Sequence, residues 1–190
     1  KPMIHKINEG AEIIAAQEKS GKVLQVGSQR TSSIMMAEAR KLYEEGAIGK
    51  INAVMGTYNR HGSLGAWQYS IPPDASPKTI DYDRFLGNAS KVGFDATRFF
   101  RWRNYRDYGT GVPGDLFVHL ISGLHYITGS LGPSRIMATG ELSYWKDGRD
   151  VPDVVNAIMR YDENEQHPAF QAVLQANLAD GSGGGSVTRI

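Results

Sequence analysis

The chain has 190 residues, of which 41% are hydrophobic and 22% charged, with a formal net charge of +1 at pH 7 and no cysteine. That length accommodates one ample core, or one domain with part of another. Near-balanced charge argues against nucleic acid or a membrane surface as partner. The missing cysteine removes disulfides, thiolate metal sites and a cysteine nucleophile, and no apolar run is long enough to span a bilayer.

Residues 9–18 carry Ala11, Ile13, Ile14, Ala15 and Ala16 at helical spacing, and Ser20-Gly21 follows as a C-terminal stop. Residues 23–27 read as a short buried strand. Helix then strand is half of a parallel αβ repeat, so the first 30 residues are expected to be the last part of a doubly wound domain. The chain opens with Lys1-Pro2 rather than Met, so an upstream segment is expected.

Ser32-Ser33 should cap a second helix over residues 34–45, with Met35, Met36, Ala39, Leu42 and Tyr43 turned inward. Residues 50–60 alternate as a strand does, with Ile51, Ala53, Met55 and Thr57 on one side and Val54 and Tyr58 on the other. Residues 61–110 are irregular but dense in aromatic rings, interleaved with Arg98, Arg101, Arg103 and Arg106. Such a stretch can wall a pocket for a polar small molecule, or it can pack a loop onto a sheet.

A glycine-rich approach ends in Asp115 and becomes strongly apolar through Leu116, Phe117, Val118, Leu120, Ile121 and Leu124, a buried helix ending at Gly129. Asp115 would cap its start, and His119 lies four residues on, over the same face. A carboxylate beside an imidazole fixes the ring's tautomer, and the pair could take a proton from a substrate hydroxyl. The same spacing describes a helix cap and a histidine satisfied inside a core. Beyond it, residues 134–144, 154–161, 169–178 and 186–190 are rich in β-branched and aromatic side chains, with turn signals between them. They are expected to be consecutive antiparallel strands, with the glycine run 181–185 as a hairpin turn or linker. No His/Asp/Glu set has metal-binding spacing.

Taken in order, Lys1-Pro2, Gly27-Ser28-Gln29-Arg30, Gly46-Ala47-Ile48-Gly49-Lys50-Ile51, Trp102-Arg103 and Gly114-Asp115-x-x-x-His119 resemble the Gfo/Idh/MocA oxidoreductases, the family of glucose–fructose oxidoreductase and inositol dehydrogenases. The resemblance covers nearly the whole chain. It implies an α/β fold in which residues 1–30 end a Rossmann domain. Residues 31–190 would form a substrate and oligomerisation domain with a large, mostly antiparallel open sheet, incomplete at its C-terminus.

It implies NAD or NADP as cofactor and a sugar or polyol as substrate. His119 would be the general base, Lys1 would stabilise the developing oxyanion, and Asp115 would orient His119 or hold a substrate hydroxyl. Lys1, Pro2, Gln29, Trp102 and Arg103 would lie at the cofactor, and Tyr58, Arg101 and Tyr105 at the substrate. Ser122 stands where many members carry an aspartate. The dinucleotide fingerprint should precede Lys1, so this piece alone is expected not to bind NAD(P) or turn over. A homo-oligomer formed through the open sheet is expected. A glycoside-cleaving relative that uses NAD transiently, and a non-catalytic binding or oligomerisation module, are the competing implications. The compartment stays open between cytoplasm and bacterial periplasm.

Overall fold

Helix α1 (Glu9–Ser20) forms where the apolar spacing places it, and Gly21 ends it in the left-handed region at φ 61°. The computed structural model describes residues 3–182 and 184–190. The strand expected over residues 23–27 does not form, and Val23 is 95% exposed. A strand exists only by pairing, and no neighbouring strand lies beside this segment among the described residues. Instead it runs extended into a 3₁₀ turn at Gln29–Ser32.

Helix α2 (Ile34–Glu44) starts at Ser33, whose hydroxyl makes no capping bond. Met36, Ala39 and Tyr43 turn partly inward, whereas Met35 is 75% exposed and Leu42 is also exposed. The buried stripe is therefore narrower than the apolar pattern, because only one side of α2 packs on another element.

Five strands make one sheet in the order β2-β3-β4-β1-β5: β1 is Ala53–Asn59, β2 Arg135–Glu141, β3 Val154–Tyr161, β4 Phe170–Asn177 and β5 Gly185–Arg189. The pairs β2–β3 and β3–β4 are antiparallel, as expected. The consecutive series stops there, since β4 pairs next with β1 in parallel and β5 pairs antiparallel with β1. The glycine run is therefore no hairpin: the edge of β4 is already taken by β1, and the chain must pass the end of β1 to reach β1's far side. Backbone bonds from Arg60 N–H to Asn177 and from Asp180 N–H to Arg60 mark that crossing.

One face of the sheet is covered by helix α5 (Val118–Thr128), and the two surfaces form a common core through Leu116, Phe117, Leu120, Leu124, Val54, Ala157, Met159, Tyr161, Ala172 and Leu174. On β1 the covered face holds Val54, Gly56 and Tyr58, whereas Ala53 and Met55 face outward. Ile51, expected on the side of Met55, is buried before the strand begins. The opposite face is open, and one register row crosses it as Met137, Ile158, Val173, Met55 and Arg189.

The irregular region is ordered by its own rings. Short helices α3 (Tyr82–Leu86) and α4 (Ala96–Phe100) are capped by the Asp81 and Asp95 carboxylates. Tyr82, Phe85, Phe94, Phe99, Phe100 and Tyr108 pack with centroids 4.9–5.7 Å apart, mostly edge to face or tilted.

Asp153 is fully buried at the start of β3, and its carboxylate accepts the backbone N–H groups of Ser143, Tyr144 and Trp145 at 2.7–2.8 Å. Burial acts to raise this carboxyl, but those N–H donors and nearby Arg149 outweigh it and hold the group below the ordinary value. A folded pKa lower than the unfolded one stabilises fully above the unfolded value of about 3.9, and the contribution is lost as pH falls through the folded value. Asp153→Ala is expected to cost about 1–3 kcal/mol in urea unfolding at pH 7, and its difference from wild type should shrink as the pH drops below about 4.

Candidate active site

The helix that carries His119 does not start at Asp115. Winding begins at Gly111 and passes through a single π-helical turn, Pro113–Phe117, before α5. Asp115 is therefore already inside the helix and is not its cap. Its carboxylate serves a tertiary contact instead, accepting a hydrogen bond from Arg103 Nε at 3.1 Å. The side chains are 14% exposed at Asp115 and 31% at Arg103, so this ion pair is more shielded than a surface one. Single π turns are often found at functional sites, where they re-aim the side chains around them.

The Arg103 guanidinium also lies 4.3 Å from the Trp102 ring centroid and 6.0 Å from that of Tyr69. Arg101 donates from Nε to the Tyr69 carbonyl at 3.0 Å and from Nη1 to Gln68. Tyr69, Arg101, Trp102 and Arg103 thus form one wall leading to Asp115.

His119 is half-buried and its ring stacks on Tyr58, with centroids 5.9 Å apart and planes at 28°. The contact exists because β1 and α5 approach closely: a side chain at Gly56 would meet Leu174 at 2.7 Å and Leu120 at 3.2 Å. On its other side His119 lines a cavity of about 80 Å³ with Met3, residues 26–30, Val118 and Ser122. The Ser122 hydroxyl is turned back on its own helix, donating to the Val118 carbonyl.

The sites read from the sequence fall into groups. His119 and Gln29 line the cavity, with Tyr58 stacked on His119 from outside its lining, and Arg103 and Trp102 gather at Asp115. Tyr105 lies apart, buried beneath Arg98, whose guanidinium is 4.6 Å from its ring centroid. Lys1 and Pro2 lie outside the described residues. Sequence reasoning missed Arg30 and Arg60. Arg30 lines the His119 cavity and donates to Ser186 Oγ at 2.9 Å, and Arg60 donates to the Tyr58 hydroxyl at 3.2 Å. Nothing in periodicity flags an arginine in a short 3₁₀ turn or just past a strand end.

Gly27 has nothing within 4 Å of where a side chain would begin, and Gln29 adds an amide at the same cavity. Among the described residues no group of three or more His, Cys, Asp or Glu is placed to hold a metal.

Residues 33–142, more than half of the chain, match the model described as "Oxidoreductase family, C-terminal alpha/beta domain". No curated protein matches the chain. Among solved structures it is similar to an inositol dehydrogenase homolog from Azotobacter vinelandii complexed with NADH and myo-inositol, at TM-score 0.66 and 15% identity over 100% of this chain and 40% of that one. It is similar also to the WlbA dehydrogenase from Bordetella pertussis in complex with NADH and UDP-GlcNAcA, at TM-score 0.67 and 14% identity over 99% and 46%. An oxidoreductase from Sinorhizobium meliloti aligns at TM-score 0.63 and 15% identity over 99% and 40%. At these identities the likeness is one of fold, and the chain spans less than half the length of each structure.

The Arg103–Asp115 pair can be measured directly. A double-mutant cycle of Arg103→Met with Asp115→Asn, read by urea unfolding, is expected to give a coupling of about 0.5–2 kcal/mol.

Proposed function

Because the chain belongs to the Gfo/Idh/MocA oxidoreductase family, we propose that it forms the substrate-binding part of an NAD(P)-dependent dehydrogenase that oxidises a hydroxyl carbon of a sugar or polyol, with His119 as general base. In this reading residues 1–30 end the NAD(P)-binding unit and residues 31–190 form the substrate unit. The observation that carries it is the placement of the His119 ring, which is stacked on Tyr58, half-buried, and exposed to a cavity bordered by residues 26–30. An imidazole so held loses little freedom on binding substrate and still reaches an opening.

Gln29 and the backbone at Gly27 would hold the nicotinamide end of the cofactor, with Trp102 and Arg103 nearby; the chemistry that NAD(P) supplies when bound is acceptance of a hydride. His119 removes the proton from the hydroxyl of the carbon being oxidised. Tyr58 holds the imidazole plane by stacking. Asp115, anchored by Arg103, orients His119 or holds a substrate hydroxyl, and Lys1 opposes the negative charge that grows on the substrate oxygen. The aromatic and arginine wall, including Tyr69 and Arg101, presents ring faces and forked donors, the surfaces that grip a hydroxylated ring.

In the intact oxidoreductase, His119→Ala is expected to lower kcat for NAD(P) reduction with the preferred polyol by about 10²–10⁴-fold, with the circular dichroism spectrum and assembly unchanged. Undiminished turnover removes His119 from the mechanism.

The open sheet face supports a homo-oligomer within the same reading. Met137, Ile158, Val173 and Met55 make an uninterrupted apolar row across four strands, all more than 40% exposed. Apolar surface of this extent is removed from water most simply by a second copy of the face. Ile158→Lys, at the row's centre, is expected to shift the protein to its monomer mass in sedimentation equilibrium.

A further inference from the structure

A second, larger cleft lies beside Tyr58, whose ring stacks on His119. It holds about 330 Å³ and is lined by Tyr58, Asn59, Arg60, His61, Gly65, Gly184, Gly185 and Ser186. Tyr58 lines the cleft and links it to the His119 cavity, its ring stacking on His119 while its hydroxyl accepts from Arg60. Ser186 joins them as well, since it lines the cleft and accepts from Arg30, which lines the His119 cavity.

Among the described residues Arg60 and Arg30 have no carboxylate partner. Asp115 pairs with Arg103, and Asp180, which also interacts with Asn59 and His61 at the cleft, accepts from the Ser182 hydroxyl and backbone N–H. Arg60 is also held in place. Its stem lies against Gly65, where an added side chain would meet Arg60 Cβ at 2.9 Å, and its guanidinium sits 5.3 Å from the Tyr58 centroid.

The opposite wall is backbone. Gly184, at φ 78°, packs so close to β1 that a side chain there would meet the Asn59 carbonyl and the His61 amide at 3.2 Å. This close approach brings the Gly184–Ser186 main chain against the arginine and His61. Arg60, His61 and a glycine backbone line the cleft, and Arg30 reaches its edge through Ser186; together they make an anion-recognition surface, because a guanidinium fork pairs best with a carboxylate or phosphate.

We infer that this cleft is a distal subsite for an anionic substituent, carboxylate or phosphate, carried by the sugar or polyol whose hydroxyl faces His119. The inference rests on the His119 reading for the rest of the substrate. Its test does not depend on turnover.

The amide resonances of Gly184, Gly185 and Ser186 in the full chain are followed by NMR during titration with glucuronate, glucose 6-phosphate and glucose. The anionic sugars are expected to shift these amides saturably, the tighter of the two naming the substituent, whereas glucose leaves them in place. Arg60→Met is expected to weaken the anion Kd roughly tenfold or more, and Arg60→Lys to recover part of it. Unmoved amides with both anions, equal shifts with glucose, or an unchanged Kd in a folded Arg60→Met variant would each overturn the inference. A failure of His119→Ala to affect turnover would overturn the general-base role instead, leaving these shifts unaffected.

Discussion

The contact on which the site depends is the close approach of α5 to β1 across Gly56. Leu120 and Leu174 occupy the space a side chain would need there, so helix and strand meet almost backbone to side chain. One residue before Leu120 on the helix and two after Gly56 on the strand, His119 and Tyr58 are forced into ring contact. The apolar packing that stabilises the fold is thus also what fixes the imidazole.

Around that contact the chain builds two arms of support. The π turn before α5 carries Asp115 inside the helix, where Arg103 reaches it from the aromatic loop. The glycine run before β5 crosses the end of β1 and sets Ser186 against Arg30. Residues from distant parts of the sequence are thereby brought into contact pairwise, Arg103 with Asp115 and Arg30 with Ser186, where rigid scaffold and loop join.

Much of this was legible beforehand. The helices over Glu9–Ser20 and Ile34–Glu44 and the strands Val154–Tyr161 and Phe170–Asn177 follow from period and stop signals alone. The Asp115 and His119 spacing singled out the candidate site, but periodicity could not distinguish a cap from a π turn, because both place an acid near a helix start. The parallel β1–β4 pairing was hidden for another reason: more than a hundred residues separate the two strands, and local alternation carries no information about which strand is a neighbour. Residues 23–27 have a strand's composition without a strand's partner. Arg30 and Arg60 were invisible because their role comes from what surrounds them and not from their own neighbourhood in sequence.

A crystal structure of the intact protein with NAD and a bound polyol tests the central claim most directly. The account predicts an imidazole nitrogen of His119 about 2.6–3.2 Å from a substrate hydroxyl on the carbon that faces the nicotinamide. Asp115 should remain paired with Arg103 at the same side of the substrate. A substrate bound with His119 turned away, or with another side chain within reach of that hydroxyl in its place, would contradict it.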